Sequence, residues 1–273
     1  MPLLYNRLVT TINETTIDSI EYHIAGVMME SIGSINSFSI GEMAKLCSVS
    51  KSTISKFVRK LGFDDYIDFK LEAVREHEKA VYIKNQNTSN ITDCILAHSV
   101  DYYRKILDYD INHLFQTIDK QPIEQLVDDI YHYKKVAAFG EVYSETICLN
   151  LQYKMAFYQK FIYTTLNDQK QTEYIRNADE DTLLIIFSNS GRYINVHAMQ
   201  DGMPQKDCFN QSKGKVVLIT SNKEMRQNSW VDSLIYYEHS TNVQNHPILY
   251  QLLIEMIAVK YQQKYGFPQD KKI

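Results

Sequence analysis

Ser39-Ile40-Gly41-Glu42-Met43-Ala44-Lys45-Leu46-Cys47-Ser48-Val49-Ser50-Lys51-Ser52-Thr53-Ile54-Ser55-Lys56-Phe57-Val58-Arg59-Lys60-Leu61-Gly62-Phe63 is the stretch that decides how the N-terminal part of this chain folds. Ser39 to Glu42 has the form of a capping box, in which a hydroxyl and a carboxylate satisfy the first free backbone donors of a helix. Met43 and Leu46 continue the buried side of that helix. Cys47-Ser48-Val49 is too short for anything but a tight crossing into the next one. The next helix starts at Ser50, and Ile54, Phe57, Val58 and Leu61 recur at helical spacing along its inward face. Gly62 then suits a C-terminal cap, because it takes a left-handed conformation without steric cost. Two short helices joined so tightly form a helix-turn-helix.

The outer face of the second helix carries Lys51, Ser52, Ser55, Lys56 and Arg59. Between Met43 and Phe63 stand Lys45, Lys51, Lys56, Arg59 and Lys60 with no acid, a local balance of +5 in a chain whose formal charge is -4. Such cations neutralise phosphates, and short polar side chains near the start of a recognition helix reach base edges in the major groove. A solvated charged face is the plain alternative. The cap, the turn length, the inward apolar set and the acid-free face coincide, and together they favour DNA. The residues expected to contact it are Lys51, Ser52, Thr53, Ser55, Lys56, Arg59 and Lys60.

Outward from this segment, Ile17, Ile20, Ile24, Val27 and Met28 form an apolar stripe on a preceding helix. Asp64-Asp65-Tyr66 opens another that runs through Phe69 towards Val74. Lys84 to Asn90 holds no apolar side chain and reads as a linker or exposed bend. A helical pattern resumes from Ile91 to about Ile130. Beyond it the period changes. Val136 to Phe139, Phe161 to Thr165, Leu183 to Phe187, Val216 to Ile219 and Leu234 to Tyr237 are strand candidates, and Leu183 to Phe187 is the strongest. Helices fit between them, from Ser144 to Gln159 for instance, and a last one spans Pro247 to Tyr265. Alternation of this kind implies a parallel sheet covered on both faces. The fold class is therefore α + α/β, an all-helical N-terminal domain followed by a parallel-sheet α/β sandwich.

Phe38 to Ala44, the string Val49 to Phe63, and then Tyr66 and Phe69-Lys70 resemble the RpiR-type transcription regulators. The resemblance implies that the second half is a SIS-type sugar isomerase domain that senses phosphosugars. It places the helix-turn-helix domain in residues 1–80, a linker and connecting helix in 81–106, and the sensor domain in 107–273. Ser188-Asn189-Ser190-Gly191-Arg192-Tyr193, after the strongest strand, is similar to the family's phosphate loop, Ser-x-Ser-Gly-x-Thr. A loop that follows a parallel strand and opens a helix offers N–H groups, hydroxyls and a positive dipole end to an anion. Tyr193 replaces the final Thr, and Arg192 is a compensating cation. Gly140-Glu141-Val142-Tyr143-Ser144 keeps the first Gly and the Ser of the family's Gly-x-Gly-x-Ser, with Val142 in place of the second Gly and Glu141 adding a negative charge. The expected ligand-binding set is Gly140, Ser144, Ser188, Asn189, Ser190, Gly191, Arg192 and Thr220, the last at a neighbouring strand end with Ser221. Plain helix capping is the alternative reading of Ser188 and Ser190. The long polar loop between Gln200 and Gly214 receives no role.

Composition excludes several classes. The chain of 273 residues is 44% hydrophobic and 23% charged, so a large core needs no metal or disulfide staple. Cys47, Cys94, Cys148 and Cys208 are scattered and read as buried thiols of a reducing cytoplasm. The eight histidines show no metal-binding spacing, and neither metal nor cofactor is expected. No apolar run approaches a membrane span and no signal-peptide pattern opens the chain, so the expectation is a cytoplasmic protein without a membrane partner. The partners are then double-stranded operator DNA, a small phosphosugar-like effector and a second copy in a homodimer or higher oligomer. The leading reading is a non-enzymatic regulator of a sugar or amino-sugar utilisation operon. Its rivals are a phosphosugar isomerase with a helical appendage, for which Glu141 and His197 are the available bases, and a regulator whose SIS domain only dimerises.

Overall fold

The computed structural model describes residues 3–85, 90–197, 204–239 and 241–266, with side chains of 76–85 left aside. The chain falls into two compact units, one of residues 1–87 with 198–204 and the other of residues 88–197 with 205–273.

The first unit is helical: α1 (Leu3–Glu14), α2 (Ile20–Glu30), a 3-10 turn (Ile32–Ser37), α3 (Ile40–Leu46), α4 (Lys51–Lys60) and α5 (Tyr66–Asn85). One core holds them together, built from Leu4, Leu8, Ile24, Met28, Met43, Ile54, Val58 and Phe69, all fully buried. The inward set expected on α4 is buried throughout. Two expectations fail at the edges. Ile17 precedes α2 and Ile20 opens it, and both are exposed, so the stripe is buried only from Ile24. Leu46 is exposed because the inward arc of α3 is Met43, Ala44 and then Cys47, and Leu46 lies beyond its edge. The bend expected over Lys84 to Asn90 does not include Lys84 and Asn85, where α5 continues; residues 86–89 lie outside the described residues, and Asn90 caps the next helix.

The second unit carries α6 (Ile91–Ala97), α7 (Val100–Thr117), α8 (Lys120–His132), β1 (Lys135–Gly140), α9 (Tyr143–Ala156), α10 (Asp168–Arg176), β2 (Thr182–Phe187), the single turn α11 (Arg192–Asn195), the single turn α12 (Cys208–Gln211), β3 (Lys215–Thr220), β4 (Ser233–Tyr236) and α13 (His246–Tyr265). The four strands pair in parallel in the order β1-β2-β3-β4. Side chains alternate across the sheet. Val136, Ala138, Leu183, Ile185, Phe187, Val217 and Ile219 face a core filled by α8, α9 and α13. Ala137, Phe139, Leu184, Ile186, Val216 and Leu218 face the other, with Ile175 of α10, Tyr193, Phe209 and Met225. Both faces are covered, which is why β2 is an unbroken apolar run buried at every position.

Phe161 to Thr165 does not form a strand. It contributes one bridge, Tyr163 to Ala137, through Tyr163 N–H to the Val136 carbonyl at 2.8 Å and Ala138 N–H to the Tyr163 carbonyl at 2.9 Å. Its apolar character comes from packing: Ile162 is buried and Tyr163 stacks on Tyr174. The helices expected between the later strands are reduced. A 3-10 turn (Lys223–Gln227) separates β3 from β4, and among the described residues between β2 and β3 only α11 and α12 are helical.

Candidate nucleic-acid interface and ligand cleft

The crossing of α3 and α4 is held by caps at every end. Ser39 and Glu42 form the expected capping box, with Ser39 N–H donating to Glu42 Oε2 at 2.7 Å. The Ser39 hydroxyl and N–H hold the Glu42 carboxyl below the usual carboxylate range. Ser50 caps α4, its hydroxyl accepting from Thr53 N–H at 3.1 Å. Both helices then end in the same way. After α3, Ser48 N–H reaches Lys45 O and Val49 N–H reaches Ala44 O; after α4, Gly62 N–H reaches Arg59 O and Phe63 N–H reaches Val58 O. This paired arrangement is a Schellman motif, and it needs a left-handed residue at its pivot. Gly62 supplies it at φ 84°, and Ser48 does so at φ 54°.

Two side chains that the sequence did not single out brace these ends. Arg7 of α1 is buried and donates to Leu61 O at 2.7 Å and Gly62 O at 3.3 Å, with its guanidinium over the Phe63 ring. His23 of α2 donates from Nε2 to Cys47 O at 3.0 Å. Tyr66 donates to Phe38 O, and its burial pushes the phenol up to about 12. The residues facing outward from this frame are those expected. Lys51, Ser52, Lys56 and Arg59 are exposed, and Ser55 is half-buried. Thr53 is half-buried with its hydroxyl on Ser50 Oγ at 2.8 Å. Lys60 is exposed but engaged, its Nζ 2.6 Å from Glu21 Oε2.

The residues expected to bind a ligand lie at and just after the C-terminal ends of β1, β2 and β3, neighbours in the sheet. Gly140 is a close-approach position: a Cβ there would run into Ser144 Cβ and lie 3.0 Å from Phe187 O. Ser144 is buried directly against it. Val142, between them, has φ 56° and ψ -110°, where a β-branched residue is strained. Gly191 sits at φ 77° with Met225 packed on its Cα face, so no side chain fits.

In the β2 loop, Ser188 Oγ accepts from Tyr193 N–H at 3.3 Å and Ser190 Oγ from Arg192 N–H at 3.4 Å. Capping and ligand binding are therefore compatible, since an accepting hydroxyl keeps its own proton to donate. Arg192 is exposed beside them. The dipole expected to assist is absent, because α11 spans a single turn, Arg192–Asn195. Asn189 and Thr220 hold the loop. Thr220 Oγ1 donates to Asn189 O at 2.9 Å, and Asn189 Oδ1 accepts from Ser221 and Tyr237 hydroxyls.

Tyr193, which stands where the family has Thr, turns inward. Its hydroxyl donates to Gln171 Oε1 at 2.7 Å, and its ring supports the ammonium of Lys206, 3.3 Å from the centroid. Lys206 lies in the long polar loop that received no role, and only 3% of it is exposed. Its Nζ is 3.7 Å from Glu141 Oε1. Burial raises the Glu141 carboxyl and lowers the Lys206 ammonium, each moderated by the charge of the other. Among the described residues no group of His, Cys, Asp and Glu is arranged to hold a metal, and no helix is long and apolar enough to cross a membrane. All four cysteines are buried and unpaired in disulfides.

Residues 11–80 match the family described as helix-turn-helix domain, rpiR family. This part of the chain is an rpiR-family helix-turn-helix domain. An uncharacterised HTH-type transcriptional regulator of Providencia stuartii is 22% identical over 191 residues, covering 69% of this chain and 66% of that protein. The HTH-type transcriptional regulator HexR of Escherichia coli is 23% identical over 176 residues, covering 64% of this chain and 60% of HexR. A Clostridium perfringens regulator is 27% identical over 56% of this chain and 55% of its own length, so the matches span between about half and two thirds of these relatives. Among solved structures, Vibrio vulnificus NanR complexed with ManNAc-6P superposes with a TM-score of 0.50 at 14% identity, over 96% of this chain and 92% of NanR. The likeness is one of fold: a helical N-terminal unit followed by a parallel-sheet α/β unit.

Proposed function

We propose that this rpiR-family chain is a DNA-binding transcription regulator of a sugar or amino-sugar utilisation operon, whose C-terminal unit senses a phosphosugar or a related anionic metabolite. The observation that carries the reading is the outer face of α4. Lys51, Ser52, Lys56 and Arg59 are exposed together on a capped helix-turn-helix, in a chain of net charge -4. A homodimer, placing two such helices on a pseudo-palindromic operator, completes it. The effector cleft is assigned to Gly140, Ser144, Ser188, Ser190, Gly191 and Arg192, with Asn189 and Thr220 anchoring its loop. Residues 1–80 then serve as the DNA-binding domain and 107–273 as the sensor, in the cytoplasm.

The test is fluorescence anisotropy of the full chain on duplex DNA from upstream of its own gene and of flanking sugar-use genes, titrated with salt and with a phosphosugar panel. Specific binding that changes with one phosphosugar supports the proposal. No preference over random duplex at any salt concentration overturns it. Isomerisation of hexose or pentose phosphates at enzymatic rates, with Glu141 as the base, would move the chain to the rival class.

A further inference from the structure

Lys206 and Glu141 are an unusual pair. An ammonium with 3% exposure has lost its water, yet the carboxylate oxygen facing it stays 3.7 Å away, beyond hydrogen-bond distance. Further support comes from the Tyr193 ring, with the ammonium 3.3 Å from its centroid, and from the negative charge of Asp168. Buried charges are normally compensated by close, saturated hydrogen bonding, and a loose pair recovers little of its desolvation cost. The position explains the looseness. Glu141 directly follows Gly140 at the end of β1, and Tyr193 is tied through its N–H to Ser188 Oγ at the end of β2. Lys206 thus joins the loop after β1, through Glu141, to the turn after β2, through Tyr193, and the latter loop carries the hydroxyls of Ser188 and Ser190.

We propose that Glu141 is a built-in counterion that occupies the place of the effector's phosphate, and that Lys206 is the cation the phosphate takes over when it binds. The inference rests on the reading of this cleft as an anion site and adds its regulation. With the cleft empty, the Glu141 carboxylate neutralises Lys206. An entering phosphate dianion brings more charge and three acceptor oxygens, takes the ammonium, and shares the Ser188 and Ser190 protons. Glu141 then faces an anion and lowers its affinity, so only ligands whose sugar moiety adds binding energy are retained. The device sets a threshold: inorganic phosphate alone binds weakly and a phosphorylated sugar binds well. Tyr193 is part of it, because a Thr at that position has no ring to carry the ammonium.

The experiment measures binding of sodium phosphate and of ManNAc-6P to the full chain by calorimetry and thermal shift, at fixed ionic strength with chloride as the control. The Glu141→Gln variant, near-isosteric and without the charge, is expected to bind inorganic phosphate roughly tenfold tighter than the parent. Lys206→Met is expected to lose phosphate binding, and Tyr193→Thr to weaken it. Thermal midpoints without ligand separate loss of fold from loss of binding. Glu141→Gln that binds phosphate no tighter than the parent, while the parent binds ManNAc-6P, overturns the counterion and leaves the cleft standing. Lys206→Met that binds as tightly as the parent overturns the role of the cation. Parent and Glu141→Gln that both ignore phosphate and ManNAc-6P overturn the anion-site reading itself, and the counterion with it.

Discussion

Arg7, in α1, donates from Nη1 to the carbonyl of Leu61 at 2.7 Å and so closes the C-terminal end of α4 from a different helix. Its charge also complements the negative end of the α4 dipole. Replacing it with Met keeps much of the stem but leaves the Leu61 and Gly62 carbonyls without their cationic donor. The expected loss is about 1.5–3 kcal/mol, the range for a hydrogen bond to a charged group. Urea unfolding followed by circular dichroism measures it. Arg7→Lys recovers only part, because the compact ammonium lacks the planar guanidinium that lies over the Phe63 ring while its Nη1 serves both carbonyls. A loss below the error of the measurement would show that the contact is incidental.

Ser48 invites the opposite change. It holds φ 54° at the pivot of the α3 cap, where Gly62 holds φ 84° at the equivalent point of α4. A non-glycine residue in that region carries about 1–2 kcal/mol of strain. Ser48→Gly is expected to raise stability by about 1 kcal/mol after the greater entropy of glycine in the unfolded chain is deducted. DNA binding should be retained, since Ser48 lies in the turn, off the α4 face proposed to contact DNA.

Val142 presents a harder case of the same physics. At φ 56° and ψ -110° its branched side chain is strained, and nothing caps α9 from that position. Val142→Gly is expected to stabilise by about 1–2 kcal/mol in thermal unfolding, whereas Val142→Ala keeps a Cβ and gains much less. Equal gains from the two would place the cost in the branched side chain and not in the backbone.

How much of this was legible in the sequence depends on whether a residue's role is written in its neighbours. The strands were legible because Leu183 to Phe187 and Val216 to Ile219 are apolar runs that only a sheet covered on both faces buries. The helix-turn-helix was legible because Ser39, Ser50 and Gly62 act on backbone a few positions away. Arg7 and His23 were not, since each acts across tens of residues and no local pattern marks a buried arginine. Phe161 to Thr165 misled because apolar content reports burial, and burial there comes without a ladder. Tyr193 and Glu141 stand out as departures from a loop pattern, but their meaning depends on Lys206, from a long polar loop to which the sequence assigns no role.

His246, the first residue of α13, is half-buried beside His239, and desolvation followed by the His239 charge lowers it to about 4. The sign follows directly. The folded state holds His246 neutral down to about 4, while the unfolded chain takes up a proton near 6.5. The unfolded state therefore binds more protons between those values, and stability falls as pH drops through that window. The full cost approaches roughly 3 kcal/mol at its acid end. His246→Gln is expected to flatten the fall in stability between about pH 6.5 and 4. An unchanged pH profile in that variant would assign the acid sensitivity to other groups.

Lys60 and Arg59 are adjacent on α4, yet they should behave differently on DNA. Lys60 lies 2.6 Å from Glu21, whereas Arg59 makes only a long contact to Asp64 O at 3.4 Å. Each cation that neutralises a phosphate adds about 0.9 to the slope of log K against log salt. Arg59→Ala and Lys56→Ala are each expected to lower the slope by about 1. Lys60→Ala should lower it less, since its charge is already offset by Glu21. An exposed pair is worth at most about 1 kcal/mol, so a phosphate competes for Lys60 on even terms. Glu21→Gln removes the competitor and is expected to tighten operator binding and steepen the slope. Anisotropy titrations across salt read all four variants. A Glu21→Gln protein that binds more weakly than its parent would mean that the pair orients α4 and does not restrain it.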